Sequence, residues 1–199
     1  MKPIRQLPLF PLALLLSLLL AVPALADAQG KKVLLIVAKA DFEDVEYTTP
    51  RKIFDAAGLA CTVASTKTGT LKGRKGARVQ SDLELKDVAV ADYDAVVVIG
   101  GAGIKKLWKD EDANRIVREA ADQGKIVAAI CAGPGVLANA DVLSGKKGTA
   151  HPNSGAKPVM EKHGCTFSMG PVVVDGNVIT ANGPDAAKAF AEAVVAALN

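Results

Sequence analysis

Hydrophobic runs alternate with amphipathic segments along residues 32–130. Four runs are rich in Val, Ile, Leu and Ala, as in parallel strands that are buried on both faces: Lys32–Ala38, Leu59–Ser65, Asp94–Ile99 and Lys125–Ile130. Between them, Val45–Ala57 and Asp112–Gln123 have helical spacing, and each is followed by a glycine of the kind that ends helices. This alternation predicts a doubly wound α/β sandwich whose ligand site lies at the carboxyl ends of the strands.

The C-terminal part of the chain predicts a hairpin and a helix. Pro171–Thr180 contains two β-branched stretches around Asp175-Gly176-Asn177, a sequence typical of a tight turn. Pro184–Leu198 is rich in alanine and has proline near its first turn, which favours a helix start. No repeat or low-complexity tract follows residue 26, so residues 27–199 are expected to form a single domain.

The first 26 residues have the pattern of a secretory signal peptide. Lys2 and Arg5 form a basic start, Leu12–Val22 is apolar, and Ala24-Leu25-Ala26 is a small-residue cleavage signature. An uncleaved anchor is the alternative, but the apolar stretch is shorter than the roughly 20 residues that span a bilayer. We expect an exported protein, periplasmic or secreted, that begins near Asp27 and has no stable membrane association after cleavage.

The charge of the mature chain is close to balanced. Removal of Lys2 and Arg5 leaves 22 basic residues against 21 acidic ones. The local basic run Lys67–Arg78 has no aromatic residue on which a base could stack, so it is interpreted as a solvated hairpin or loop. No nucleic-acid partner is therefore expected.

Cys131 is the strongest candidate for chemistry. It ends the hydrophobic run at Ile130 and is followed by Ala132-Gly133-Pro134-Gly135, small and turn-forming residues that favour an immediate helix start. A thiol on such a strand-to-helix turn lies near a helix N-terminus, which is expected to lower its pKa below the ordinary value of about 8.5. The alternative is a small core cysteine at a strand end.

The other two cysteines are interpreted as structural. Cys61 lies within the predicted strand Leu59–Ser65, and Cys165 follows a helix-ending glycine. Three cysteines cannot all pair within one chain, so at least one stays free or forms an adduct in an oxidising compartment.

Three further segments are expected to meet Cys131 at the same sheet edge. The acidic segment Ala40–Glu46 follows the first strand, and Gly100-Gly101 follows the third, where backbone N–H groups could form an oxyanion hole. His151 could act as a general acid or base near neutral pH, whereas His163 at a helix end is interpreted as structural. The glycine run lacks the third glycine of a dinucleotide fingerprint, and no zinc-ligand spacing is present, so we expect neither cofactor nor metal.

These segments together resemble the ThiJ/PfpI family, in its DJ-one-like branch, which implies a relation to the wider class I glutamine amidotransferase-like superfamily. The resemblance rests on motifs that occur in the family's order over residues 31–199: Glu43-Asp44-Val45-Glu46 with Pro50, Gly100-Gly101, Ala129-Ile130-Cys131-Ala132-Gly133-Pro134 and His151-Pro152. It implies a flavodoxin-like sandwich with a mainly parallel sheet, a nucleophile elbow and a homodimer.

The resemblance also implies roles for individual residues. Cys131 matches the nucleophile, Glu46 the acid that hydrogen-bonds its sulfur and His151 the family histidine, with Glu43 as a second candidate acid. We expect N–H groups of Gly100, Gly101 and Ala132 to form the oxyanion hole. Family peptidases have histidine directly after the cysteine, where this chain has Ala132, so peptidase activity is the least supported.

The function expected from the resemblance is cofactor-free chemistry on small reactive carbonyls, of the glyoxalase or deglycase type, with an aldehyde or glycated substrate. A non-catalytic redox sensor or holding chaperone is the alternative, because it would use the same oxidisable Cys131. The sequence leaves the substrate open.

Overall fold

The computed structural model describes residues 28–199. The predicted leader, residues 1–26, lies outside that range. The strands are β1 (Lys32–Ile36), β2 (Ala40–Phe42), β3 (Ala60–Ser65), β4 (Gly69–Gly73), β5 (Arg78–Ser81), β6 (Leu83–Glu84), β7 (Ala95–Val98), β8 (Ile126–Ile130), β9 (Lys147–Gly148), β10 (Thr166–Phe167), β11 (Val172–Asp175) and β12 (Val178–Ala181). The α-helices are α1 (Asp44–Ala56), α2 (Glu111–Asp122), α3 (Pro134–Asn139), α4 (Ala156–Lys162) and α5 (Ala187–Leu198).

The central sheet of the described chain has seven strands in the order β11-β12-β8-β7-β1-β3-β6. All neighbours pair in parallel except β11 and β12, which form the predicted antiparallel hairpin. The four hydrophobic runs form β1, β3, β7 and β8. Of these, β8, β7 and β1 lie at the centre of the sheet. The predicted mainly parallel, doubly wound sheet is therefore confirmed.

Helices cover both faces of this sheet. On β1, Leu34 and Ile36 belong to the core cluster that contains α2 residues such as Ile116. Val33 and Leu35 point the other way, into the cluster that holds Phe54 of α1 and Phe190 of α5. Because successive side chains of a strand alternate between faces, one hydrophobic run supplies both cores. Truncation of a buried phenylalanine to alanine usually lowers the free energy of unfolding by roughly 3–5 kcal/mol, so each of these two rings stabilises the fold substantially.

Two elements differ from the sequence-based expectations. No strand was predicted in the acidic segment after β1, but Ala40–Phe42 pairs with β4, which pairs in turn with β5. The basic run Lys67–Arg78 does form a hairpin, yet it is not simply solvated, because this pairing holds the hairpin against the start of α1. Tertiary strand pairing, which local composition does not reveal, is the reason for both differences.

Within residues 28–199, no helix has both the length and the hydrophobicity needed to cross a bilayer.

Candidate active site

Cys131 occupies a sharp turn between β8 and α3. Its backbone φ is +63°, in the left-handed region that costs a non-glycine residue on the order of 1–3 kcal/mol. Hydrogen bonds on both sides hold this conformation: the Cys131 N–H donates to Ala181 O (2.8 Å), and the His151 N–H donates to Cys131 O (3.0 Å). The predicted strand-to-helix elbow is therefore present, and its strained conformation is held by β12 on one side and by the segment at His151 on the other.

The elbow opens into a cleft of about 280 Å³. Its lining includes most of the residues singled out in the sequence and several that were not: Glu43, Glu46, Arg74, Gly101, Ala102, Lys105, Cys131, Ala132, His151, Asn153, Ser154 and Pro184. The cleft lies at the carboxyl ends of β1, β7 and β8, where the doubly wound topology predicted a ligand site.

Glu46, in the first turn of α1, is fully buried. Neither carboxyl oxygen has a hydrogen bond of good geometry within residues 28–199. The nearest polar groups that act on it are the Cys131 thiol and the Gly100 N–H, and the charges of Glu43 and Arg74 act on it with opposite signs. Burial raises the pKa of Glu46 to about 8, and the Cys131 thiol lowers it only in part. Glu46 is therefore mostly a neutral acid at pH 7.

The Cys131 thiol does not have the lowered pKa expected from its sequence position. Burial, followed by the charge of Glu46 when it is ionised, raises the pKa of Cys131 to about 12, although the N–H groups of Gly101 and Ala132 act in the opposite direction. The expectation was wrong because burial of the thiol outweighs the two N–H groups at the start of α3, a helix of only six residues. Thiol and carboxyl titrate as one coupled pair, whose first proton leaves near pH 8.

The glycine pair allows this close packing. A Cβ on Gly100 would collide with Glu46 Oε2 and lie 2.6 Å from the Cys131 Cβ. Gly101 has φ +105° and forms an antiparallel bridge with Phe42, while the Glu43 N–H donates to Gly100 O (3.1 Å). The N–H groups on the sulfur are those of Gly101 and Ala132, whereas that of Gly100 acts on Glu46.

His151 lines the same cleft with a fixed ring. The Asn153 N–H donates to its Nδ1 (3.2 Å), so the neutral ring carries its proton on Nε2. The ring packs against Gly183, where an added Cβ would lie 2.9 Å from His151 Cδ2. The predicted histidine therefore shares the cleft with the cysteine and acid.

Glu43 also reaches the cleft, but in a different electrostatic setting from Glu46. Its side chain is 5% exposed and pairs with Arg74 Nη1 (3.2 Å) and Lys75 Nζ (3.3 Å), both from the hairpin turn between β4 and β5. The two acids of the segment are thus distinguished by their partners, which are cations for Glu43 and a thiol for Glu46.

Sequence reasoning missed Arg74, Lys105 and Trp108. Trp108 is the single tryptophan of the chain; its indole N–H donates to Ala132 O (2.8 Å), and a Cβ on Gly135 would collide with its ring. The indole therefore fixes the peptide that follows the elbow. No local pattern connected these residues to Cys131, although the isolated basic run containing Arg74 was a visible signal.

The remaining cysteines and histidine lie apart from the cleft lining. Cys61 and Cys165 are free, and burial raises the pKa of Cys61 to about 11. His163 caps the C-terminal end of α4 and pairs with Asp141 (2.8 Å). Among residues 28–199, no three His, Cys, Asp or Glu side chains cluster in a way that could hold a metal ion.

The chain is similar to proteins of known family over nearly all of its described length. It is 38% identical over 153 residues to a deglycase of Pyrococcus horikoshii, covering 77% of this chain and 90% of that one. It is 30% identical over 171 residues to a glutathione-independent glyoxalase of Caenorhabditis elegans, covering 86% and 90%. The crystal structure of a ThiJ/PfpI domain protein from Brachyspira murdochii superposes with a TM-score of 0.83 at 35% identity, covering 86% and 98%. The model of the DJ-1/PfpI family matches residues 31–197, and the chain belongs to that family.

Proposed function

We propose that the protein converts small reactive carbonyl compounds by a cysteine-dependent, cofactor-free reaction of the glyoxalase or deglycase type. The observation that carries the proposal is a buried, neutral Glu46 whose principal polar partner in the cleft is the Cys131 thiol. The deglycase and glyoxalase among its relatives support the same class of reaction.

The first proposed step joins the thiol to an aldehyde. Cys131 Sγ bonds to the aldehyde carbon, the thiol proton passes to Glu46, and the proton already on Glu46 passes to the aldehyde oxygen. A neutral carboxylic acid can do both at once, since it has one donor and one acceptor oxygen. The N–H groups of Gly101 and Ala132 stabilise the negative charge that develops on the oxygen. The product is a hemithioacetal, and Glu46 is neutral again.

The second proposed step moves hydrogen between adjacent carbons of a 2-oxoaldehyde. His151 removes the proton from the former aldehyde carbon while neutral Glu46 protonates the neighbouring carbonyl oxygen, which gives an enediol. His151 then returns its proton to the neighbouring carbon, and Glu46 takes the hydroxyl proton of the first carbon. The first carbon is thereby oxidised to a thioester and the second reduced to an alcohol, with no external oxidant. Water then hydrolyses the thioester, which releases a 2-hydroxy acid and restores the thiol.

The alternative use of the same site is redox sensing. A neutral Glu46 can donate a hydrogen bond to an oxygen of a sulfinate formed on Cys131 by peroxide, and so stabilise that form. In this case the protein would not turn over carbonyl compounds, which separates the two functions experimentally.

The test is lactate formation from methylglyoxal without glutathione. We expect Cys131→Ala to abolish it and Glu46→Gln to lower the rate roughly 100-fold, because glutamine can donate a hydrogen bond but cannot exchange a proton. Cys61→Ala, the same chemical change outside the cleft, is the control and should keep the rate. A Cys131→Ala protein that forms lactate at the wild-type rate would overturn the proposal, and wild-type protein without turnover would favour the redox function.

We also propose that the protein acts after export, as a homodimer. The leader pattern of residues 1–26 supports the location, and the family resemblance supports the assembly. Fractionation of the producing cells, followed by sedimentation of the mature protein, tests both; a cytoplasmic or a monomeric protein would contradict the respective statement.

A further inference from the structure

We propose that Arg74 and Lys105 make the cleft selective for carbonyl compounds that also carry a carboxylate. The inference rests on the proposed function and narrows its substrate class. It starts from two cationic side chains that line the cleft beside Cys131.

Arg74 is held in place from two sides. Its backbone N–H donates to Phe42 O (3.0 Å), and its Nη1 pairs with Glu43. Asp44 fixes the rest of the turn by accepting hydrogen bonds from the N–H groups of Lys75 (2.9 Å) and Ala77 (2.7 Å). The guanidinium is thus positioned before any ligand arrives, which limits the entropy lost on binding.

The guanidinium retains donors for a ligand. Glu43 engages Nη1, while Nε and Nη2 have no hydrogen-bond partner within residues 28–199, and the side chain is 57% exposed. A guanidinium presents five N–H donors in a planar fork that suits carboxylate oxygens. Arg74 can therefore keep its ion pair with Glu43 and still bind a second carboxylate.

Lys105 supplies a second positive charge from the short 3₁₀ turn Gly103–Leu107. Its Nζ lies 5.9 Å from the ring centre of Trp108, and no carboxylate of residues 28–199 lies within ion-pair distance of it. An aromatic face attracts a cation but does not neutralise it. The charge of Lys105 is therefore available to a ligand.

The charges in the cleft favour an anion at neutral pH. Arg74 and Lys105 are opposed there by the single negative charge of Glu43, since Glu46 is mostly protonated below pH 8. Beside the cleft, the positive charge of Lys75, which also pairs with Glu43, is balanced by the carboxylate of Asp44, which accepts hydrogen bonds from the same turn. A neutral carbonyl compound would leave this excess positive charge uncompensated.

The first experiment measures local charge without relying on turnover. Iodoacetate and iodoacetamide alkylate a thiol in the same way, through a CH2 group that loses iodide, but only iodoacetate is an anion. Peptide mass spectrometry measures the alkylation rate of Cys131 with each reagent. We expect the ratio of the iodoacetate rate to the iodoacetamide rate to exceed the same ratio for N-acetylcysteine amide by about tenfold. Arg74→Gln and Lys105→Gln should each lower the ratio about threefold or more, whereas Lys106→Gln, an adjacent lysine outside the lining, should not. A wild-type ratio equal to that of the free thiol would overturn the proposal, and so would a ratio unchanged in both cleft variants.

The second experiment compares 4,5-dioxopentanoate with 2-oxopentanal, which differ only by a carboxylate in place of the terminal methyl group. We expect kcat/KM to favour the carboxylate about tenfold in the wild type and to lose this preference in the Arg74→Gln/Lys105→Gln double variant. Turnover of both compounds without preference would overturn this inference and leave the proposed function standing. A charge-dependent alkylation ratio without turnover of either compound would instead refute the proposed function and leave the anion selectivity standing.

Discussion

The buried Glu46 carboxyl should make the stability of the fold depend on pH. Its pKa rises from the ordinary 4.5 to about 8 on folding, because burial penalises the charged form. Between these two values the unfolded chain has released the Glu46 proton while the folded protein still holds it. Unfolding therefore releases a proton, and raising the pH favours unfolding. The stabilising contribution is complete below pH 4.5 and is lost as the pH rises to about 8.

The size of the effect follows from the shift. Each unit of pKa corresponds to about 1.4 kcal/mol, so a rise from 4.5 to about 8 gives about 5 kcal/mol as an upper bound. Water that enters the open cleft stabilises the ionised carboxylate, and we expect a loss of roughly 3–5 kcal/mol in the free energy of unfolding. That is a large part of the stability of an ordinary domain, which is about 5–15 kcal/mol.

The assay compares urea unfolding of the wild type and Glu46→Gln from pH 4.5 to pH 8. The difference at pH 4.5 measures every effect of the substitution except ionisation, so it serves as the internal control. The raised pKa of Cys131 acts on stability only above pH 9, outside this range. We expect the wild type to lose stability relative to Glu46→Gln as pH rises, and parallel stability curves would refute a buried acid with a raised pKa.

Three further predictions concern the cleft and the leader. Gly100→Ala should abolish carbonyl turnover and cost about 1–3 kcal/mol of stability, because the new Cβ would lie 2.6 Å from the Cys131 Cβ. Gly170→Ala is the matched control, since its new Cβ would have its nearest neighbour at 3.5 Å. Equal effects of the two substitutions would contradict the packing argument. The alkylation rate of Cys131 should still be rising above pH 9, because burial and the charge of ionised Glu46 raise the pKa of the thiol to about 12, so a plateau below pH 7 would show a thiolate that the cleft does not penalise. Intact mass spectrometry of the extracytoplasmic protein should give an N-terminus at Asp27; retention of the 26-residue segment would rule out cleavage after Ala26.

The sequence by itself determined the layers of the fold and the order of the motifs. Short hydrophobic runs rich in β-branched residues are typical of strands covered on both faces, so β1, β3, β7 and β8 were identifiable. The helices α1 and α2 lie within one residue of their predicted bounds. Small residues after Ile130 required a sharp turn, which placed the thiol at the sheet edge. These features follow from local composition, because side-chain volume and backbone freedom act over neighbouring residues.

The properties of the site depended on the tertiary structure. The helix end after Cys131 suggested a lowered thiol pKa, but burial beside Glu46 raises it, and burial results from distant elements packing together. Glu43 and Glu46 lie in one acidic segment, but their settings differ because the hairpin turn with Arg74 pairs with Glu43, whereas Glu46 is buried beside the Cys131 thiol. Sequence spacing specifies which residues meet at a strand end, whereas long-range packing decides which of them are solvated, paired or left with only a thiol for a partner.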